Sequence, residues 1–338
     1  MKRRFGKMGI ALAAVVLAAA LLLAEFGRLR DGGPGASPGS EARTKQHAYT
    51  IALVMGMRHG DYWKTVYTGA EAAAKELGAG ISFLGPEDEQ DGEGQAELVR
   101  QALADGADAI LVAPNDEVAL AEALTEAQKR VPVLTLDSEL AALKVKAHIG
   151  TYNFSSGAKA AEELVRLLGG ASGRIALVGF APGTPKSEQR EAGILSVLNR
   201  HPELQLAGKA DSYSDQQQAK ELVLELARTS GPLDGIIALN SAAVLGTADA
   251  LGSLGQERQV KLVSFDSTLQ ELELLQNGVI RSLVVQNPFG MGYLGVRHAV
   301  DALKRRQIPE QVDTGFAVVR TEDMFAPANQ KLLFPLIR

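Results

Sequence analysis

The sequence predicts an α/β chain built as two lobes, each a parallel sheet flanked by helices, with a hinge between them. Three observations predict it. From Tyr49 onward short apolar runs alternate with amphipathic helical stretches across short joins, the pattern of strand–helix–strand crossovers. The alternation restarts near Ala147–Thr151, which argues for two sheets rather than one very large one. Finally, 338 residues with 46% hydrophobic and 22% charged side chains are enough for two cores of ordinary size.

The first element is basic and apolar. Lys2, Arg3, Arg4 and Lys7 make residues 1–7 a cytoplasmic basic segment ahead of an apolar run, residues 8–26. That run fits a signal peptide or a transmembrane anchor. The small-residue pattern Ala18-Ala19-Ala20 would leave Leu21-Leu22-Leu23 on the mature end, which favours an uncleaved anchor. Either way the body lies outside the cytoplasm, tethered to the membrane or released to the periplasm. Residues 27–46, rich in Gly, Pro and Ser, form a flexible linker.

The body then reads in order. Strand TIALVM (50–55) leads to a helix over about Tyr62–Leu77. ISFL (81–84), a helix near Ala96–Ala104, AILVA (109–113), a helix near Val118–Arg130 and VPVLTL (131–136) follow. The second run gives RIALVG (174–179), LQLAG (204–208), GIIAL (235–239), KLVSF (261–265) and RSLVV (281–285), with helices between. In open parallel sheets the ligand crevice forms at the carboxyl ends of the strands. Those ends carry Gly56–Trp63, Pro114–Asp116, Asp137-Ser138, Gly183–Arg190, Asn240-Ser241, Asp266-Ser267 and Gln286-Asn287. Polar residues there also cap helices, the plainer reading for Asp116 and Ser267.

Charge and composition exclude several classes. Residues 46–338 carry 27 basic against 37 acidic side chains, which offers no footprint for nucleic acid. With no cysteine there is no disulfide, thiolate metal site, thiol nucleophile or acylated lipoprotein cysteine. The five histidines are scattered without metal-ligand spacing, and no metal or cofactor is expected. GMGYLG (290–295) satisfies G-x-G-x-x-G, but Pro288 follows the strand and no acidic residue ends a later strand at the right distance. Close helix packing explains those glycines better.

At the strand ends the sequence resembles the ribose-binding family, the type I periplasmic binding proteins. The resemblance covers about Tyr49 to Arg320. It rests on IALVM with Tyr62-Trp63, GAEAAAKELG, DAILVAPND, VPVLTLDS, GTPKSEQREAG, DGIIALNSAAVLG, LVSFDST and NGVIRSLVVQNPFGMG, in that order and spacing. The lac-repressor-type regulators share this body but precede it with a DNA-binding helix-turn-helix, where this chain has the apolar segment. The resemblance implies two Rossmann-like lobes closing over one monosaccharide, pentose-like, without catalysis. It implies discontinuous lobes, 47–150 plus 287–312 and 151–286 plus 313–338. It implies a ligand set as well. Tyr62 and Trp63 would stack on the sugar, Asp137 and Asp266 accept hydroxyl protons, and Arg190 donate as a planar fork. Asn240 and Gln286 would each offer a donor and an acceptor. His59, on a loop that faces the crevice by topology, Ser138 and Tyr213 are further candidate ligand residues.

The chain departs from the family at His59-Gly60, where an amide-rich pair is usual, at Ser138 in place of an arginine, and at Ser241 in place of an aspartate. Ribose itself is therefore not implied. The expected use is sensing, with closure read by a membrane partner such as a histidine kinase. Delivery of sugar to an ATP-driven (ABC) permease is the alternative. A sugar-processing enzyme using Asp137 and Asp266 as paired carboxylates is the reading from another class.

Overall fold

The structure, a computed structural model, describes residues 47–179 and 184–334. The chain separates into Met1–Lys45 and a compact unit, Gln46–Arg338, to which all the described residues belong. The segment expected as anchor or signal, and the linker after it, lie outside the described residues. No helix among the described residues is long and apolar enough to cross a membrane.

The first sheet collects β1 (Thr50–Val54), β2 (Gly80–Leu84), β3 (Ala109–Val112), β4 (Val133–Leu136), β5 (His148–Gly150) and β11 (Gln311–Asp313), in the order β11-β5-β4-β3-β1-β2. All its pairings are parallel. The second sheet collects β6 (Gly173–Gly179), β7 (Leu204–Asp211), β8 (Gly235–Ala238), β9 (Lys261–Phe265), β10 (Ile280–Gln286) and β12 (Phe316–Arg320), in the order β12-β10-β9-β8-β6-β7. Only β12 runs antiparallel, against β10. The two-lobed α/β architecture is as the sequence predicts.

The central strands are apolar throughout because both their faces are covered. In β1, Ile51 and Leu53 face one helix layer while Ala52 and Val54 face the other. In β6, Ala176 and Val178 turn to one core and Ile175 and Leu177 to the opposite one. Helix α1 (Asp61–Leu77) buries Trp63, Val66, Ala70, Ala73 and Ala74, a stripe at helical spacing.

The other helices are α2 (Gly92–Ala104), α3 (Glu117–Gln128), α4 (Asn153–Leu168), α5 (Pro185–Leu198), α6 (Gln216–Ser230), α7 (Ser241–Leu254), α8 (Leu269–Gln276), α9 (Pro288–Leu303) and α10 (Pro327–Leu333). Asp116 caps α3, accepting from the Val118 and Ala119 amides, as the sequence suggested. Ser267 does not cap α8. Thr268 does, in a capping box with Glu271, because the chain needs one more residue to turn from β9 into the helix.

The two lobes repeat one packing motif. In the first, a Cβ at Gly292 of α9 would lie 1.9 Å from the Val66 carbonyl oxygen, and one at Gly69 of α1 would lie 2.0 Å from that of Phe289. In the second, Gly157 of α4 meets the Arg190 carbonyl oxygen at 2.2 Å and Gly193 of α5 meets that of Phe154 at 2.0 Å, measured the same way. Gly292 and Gly157 each stand three residues after a phenylalanine, Phe289 and Phe154. This accounts for GMGYLG: its glycines let α9 lie against α1 and against Leu136 of β4.

Three segments cross between the lobes and bind one another. Thr314 donates its amide to the Gly150 carbonyl at 2.9 Å. Asn287 Nδ2 reaches the Thr314 carbonyl at 3.4 Å, and the Tyr152 amide reaches Asp313 Oδ1 at 3.4 Å. Beyond the last crossing, Leu333 is buried in the second-lobe core, with Leu332 and Phe334 packed against it.

Candidate functional site

Because the strands of both sheets run parallel apart from β12, the carboxyl ends of β1, β3 and β4 and of β6, β8 and β9 converge where the lobes meet. A cavity of about 310 Å³ lies there, walled by residues of both lobes. Its volume suits a small molecule such as a monosaccharide rather than a polymer.

Two aspartates define the cavity. Asp137 follows β4 and Asp266 follows β9, the fourth strand of each run, and both take left-handed backbone angles, φ 63° and 73°. Aspartate tolerates this region better than most residues, yet the conformation still costs about 1 kcal/mol. Each turn aims a carboxylate into the cavity instead of starting a helix. Asp137 is 3% exposed. Its Oδ1 accepts from the Tyr62 hydroxyl at 2.7 Å and its Oδ2 from Lys186 Nζ at 2.7 Å, with Ser138 Oγ at 3.5 Å. Asp266 Oδ1 accepts from Gln286 Nε2 at 2.7 Å, and Ser241 Oγ stands 3.5 Å from its Oδ2.

The electrostatics of the two differ. Burial works against ionisation of Asp137, but the Lys186 ammonium, the Tyr62 hydroxyl and the Arg190 guanidinium hold its carboxyl below the usual range. Burial raises Asp266, and the Asp137 charge adds to it, against the pull of Arg190, Gln286 and Lys186. The Tyr62 phenol is pushed well above its usual value, first by burial and then by both aspartates, so it serves as a donor. Arg190 and Lys186 balance the two carboxylates. An uncharged ligand rich in hydroxyls can meet such a set without importing net charge.

Arg190, 1% exposed, is a wall built into the second lobe. Its Nε donates to Asn153 Oδ1 at 2.9 Å, its Nη1 donates to the Leu239 carbonyl at 2.6 Å, and its carbon centre lies 4.1 Å above the Phe265 ring. Asn240 both caps α7, through the Ala243 amide at 2.8 Å, and lines the cavity, with Nδ2 on Ser214 Oγ at 3.2 Å. Gln286 offers a buried Oε1 that no group among the described residues satisfies.

Of the residues expected at the site, Tyr62, Trp63, Asp137, Ser138, Arg190, Tyr213, Asn240, Asp266 and Gln286 line this cavity. Tyr62 and Trp63 pack edge to face, ring centres 5.1 Å apart, which lets adjacent residues share one wall. His59 is not brought there: it lies on an exposed loop with Nδ1 3.3 Å from Glu87. Sequence reasoning missed Lys186. In the structure it stands two residues past the helix cap Thr184, as Tyr62 stands two past Gly60, a correspondence that no local sequence pattern marks. It also missed Gln95, wholly buried, which binds the Met55 and Ala113 carbonyls and the Asn115 amide and so fixes the ends of β1 and β3. Glu117 was missed too; its carboxylate gathers the amides of Ala141, Ala142 and Leu143 and shapes the loop after Asp137.

Known proteins are similar to this chain in architecture and in sequence. The ribose import binding protein of Haemophilus influenzae is 26% identical over 271 residues, 80% of this chain and 91% of its own length. The periplasmic component of an ABC-type sugar transport system from Hahella chejuensis is 31% identical with a TM-score of 0.77, over 80% of this chain and 99% of that one. A carbohydrate transporter solute-binding protein from Agrobacterium radiobacter, solved with D-arabinose, is 28% identical with a TM-score of 0.80, over 84% of this chain and 98% of that one. Residues 51–307, well over half of the sequence, match the family described as Periplasmic binding protein domain, and the chain belongs to that family.

Proposed function

We propose that the protein is an extracytoplasmic receptor that binds one monosaccharide, a pentose or hexose, between its lobes and delivers it to an ATP-driven (ABC) permease. The observation that carries this reading is the pair Asp137, buried, and Asp266, half-buried, acceptors at equivalent strand ends of the two lobes that face one cavity of about 310 Å³. Each already accepts from protein donors, Tyr62 and Lys186 or Gln286, an arrangement suited to holding hydroxyls rather than moving protons to a leaving group. Similarity to transport binding proteins supports the permease as the receiving partner.

A second reading keeps the same site and hands lobe closure to a membrane histidine kinase. It rests on the apolar run of residues 8–26, which as an uncleaved anchor would hold the receptor beside such a partner.

Calorimetric titration with D-ribose, D-arabinose, D-allose, D-tagatose and D-fucose tests the receptor reading. Saturable binding of at least one, with a smaller radius of gyration on binding, is expected. Binding of none, or chemical conversion of the bound sugar, would overturn it.

A further inference from the structure

Lys186 reaches across the cleft. It belongs to α5 of the second lobe, yet its ammonium lies 2.7 Å from Oδ2 of Asp137, a first-lobe residue 49 positions earlier in the chain. It lines the cavity and is about four-fifths buried. Tyr62, at the matching position of α1, holds the other oxygen of the same carboxylate. The first-lobe acceptor is thus flanked by one neutral donor from its own lobe and one cationic donor from the opposite lobe.

We propose that Lys186 is a specificity-determining residue supplied by the second lobe, reading one ligand hydroxyl jointly with Asp137. This deepens the sugar-receptor reading and rests on it. An ammonium carries three protons and no acceptor; a carboxylate offers about four lone-pair sites and no proton. A group placed at both must accept from one and donate to the other. A hydroxyl does this; a hydrogen, a methoxy group or a ketone does not. Because the two partners sit on different lobes, the full pair of bonds exists only with the lobes together, so this hydroxyl would be checked at closure. The cross-lobe bond from Gln189 Nε2 to Glu139 Oε2, 3.2 Å, lies on the same seam, one helical turn further along α5.

The test uses D-ribose, D-arabinose and D-allose with their monodeoxy analogues, titrated calorimetrically against the wild type, Lys186→Met and Lys186→Gln. For the bound sugar, the wild type should reject one deoxy analogue about 10- to 150-fold, the span of one charge-assisted hydrogen bond. Lys186→Met should weaken the parent sugar by a similar factor while leaving that analogue nearly unchanged, so discrimination collapses to a few-fold. Lys186→Gln, which keeps a donor and much of the length, should fall between, and it serves if the Met variant does not fold. A uniform loss across all analogues, or discrimination kept within twofold in both variants, would overturn the assignment. A wild type that binds none of the sugars would overturn the receptor reading together with it.

Discussion

Tyr62 and Lys186 hold opposite oxygens of one carboxylate, the phenol on Asp137 Oδ1 and the ammonium on Oδ2, each at 2.7 Å. They occupy matching second positions of helices in different lobes, so a buried aspartate of the first lobe is answered from both sides of the cleft. Asp137→Asn keeps the shape but removes the charge that faces Lys186. Sugar affinity should fall about 100-fold, near 3 kcal/mol, and Tyr62→Phe should cost about tenfold. Calorimetry on the two variants checks both.

Glu163 of α4 is a structural anchor with a pH signature. Its buried carboxylate takes both Arg320 Nε and Arg320 Nη2 at 2.7 Å, Ser282 Oγ at 3.0 Å, and Arg166, tying α4 to β10 and β12. Burial alone would raise it, but the bonds from Arg320, Arg166 and Ser282 bring it down to about 2. A carboxyl depressed in the folded state adds stability that is fully present above its ordinary value and is lost as pH falls from about 4.5 through 2. Glu163→Gln should cost on the order of 3 kcal/mol at pH 7, with the difference shrinking toward pH 2, in urea melts across that range.

Glu271 carries the opposite sign. It is wholly buried beneath Asp266, and burial first, then the Asp266 charge, push it up to about 8 against the Thr268 and Ser241 hydrogen bonds. The folded protein keeps a proton that the unfolded chain has lost. Stability therefore falls as pH rises from about 4.5 to 8 and levels off above that. Glu271→Gln retains the capping-box partner of Thr268. It should stabilise the protein by on the order of 3 kcal/mol at pH 8 and change little near pH 4, read by thermal unfolding.

Gly292→Ala places a Cβ 1.9 Å from a backbone oxygen of α1, a clash no rotamer relieves. A loss of about 3 kcal/mol is expected. Gly292 does not line the cavity, so affinity measured well below the melting temperature should stay within threefold.

Much of the fold is legible in the sequence because β1, β3, β6 and β8 are buried on both faces, which demands unbroken apolar runs. β5 and β11 are not legible: each has three residues, and His148, Gln311 and Asp313 mark no apolar pattern. β5, where the alternation is expected to restart for a second sheet, instead belongs to the first, paired with β4 on one side and with the edge strand β11 on the other. Asp137 and Asp266 stand out as carboxylates ending apolar strands. Lys186 does not, since its role depends on how two lobes meet, which no local pattern records. His59 misled for the converse reason: its loop follows β1, but the side chain turns to Glu87 on the surface.

On the proposed reading, Asp137 and Asp266 together hold one sugar between the lobes. The melting temperature of the protein with each panel sugar, for the wild type, Asp137→Ala and Asp266→Ala, checks this. A ligand at about 100 times its dissociation constant adds roughly 2.7 kcal/mol, a shift of about 4 °C for a body of this size. Such a shift is expected with at least one sugar for the wild type and none for either variant. A shift that survives in both variants, or its absence with every sugar in the wild type, would rule out the two aspartates as the sugar's holders.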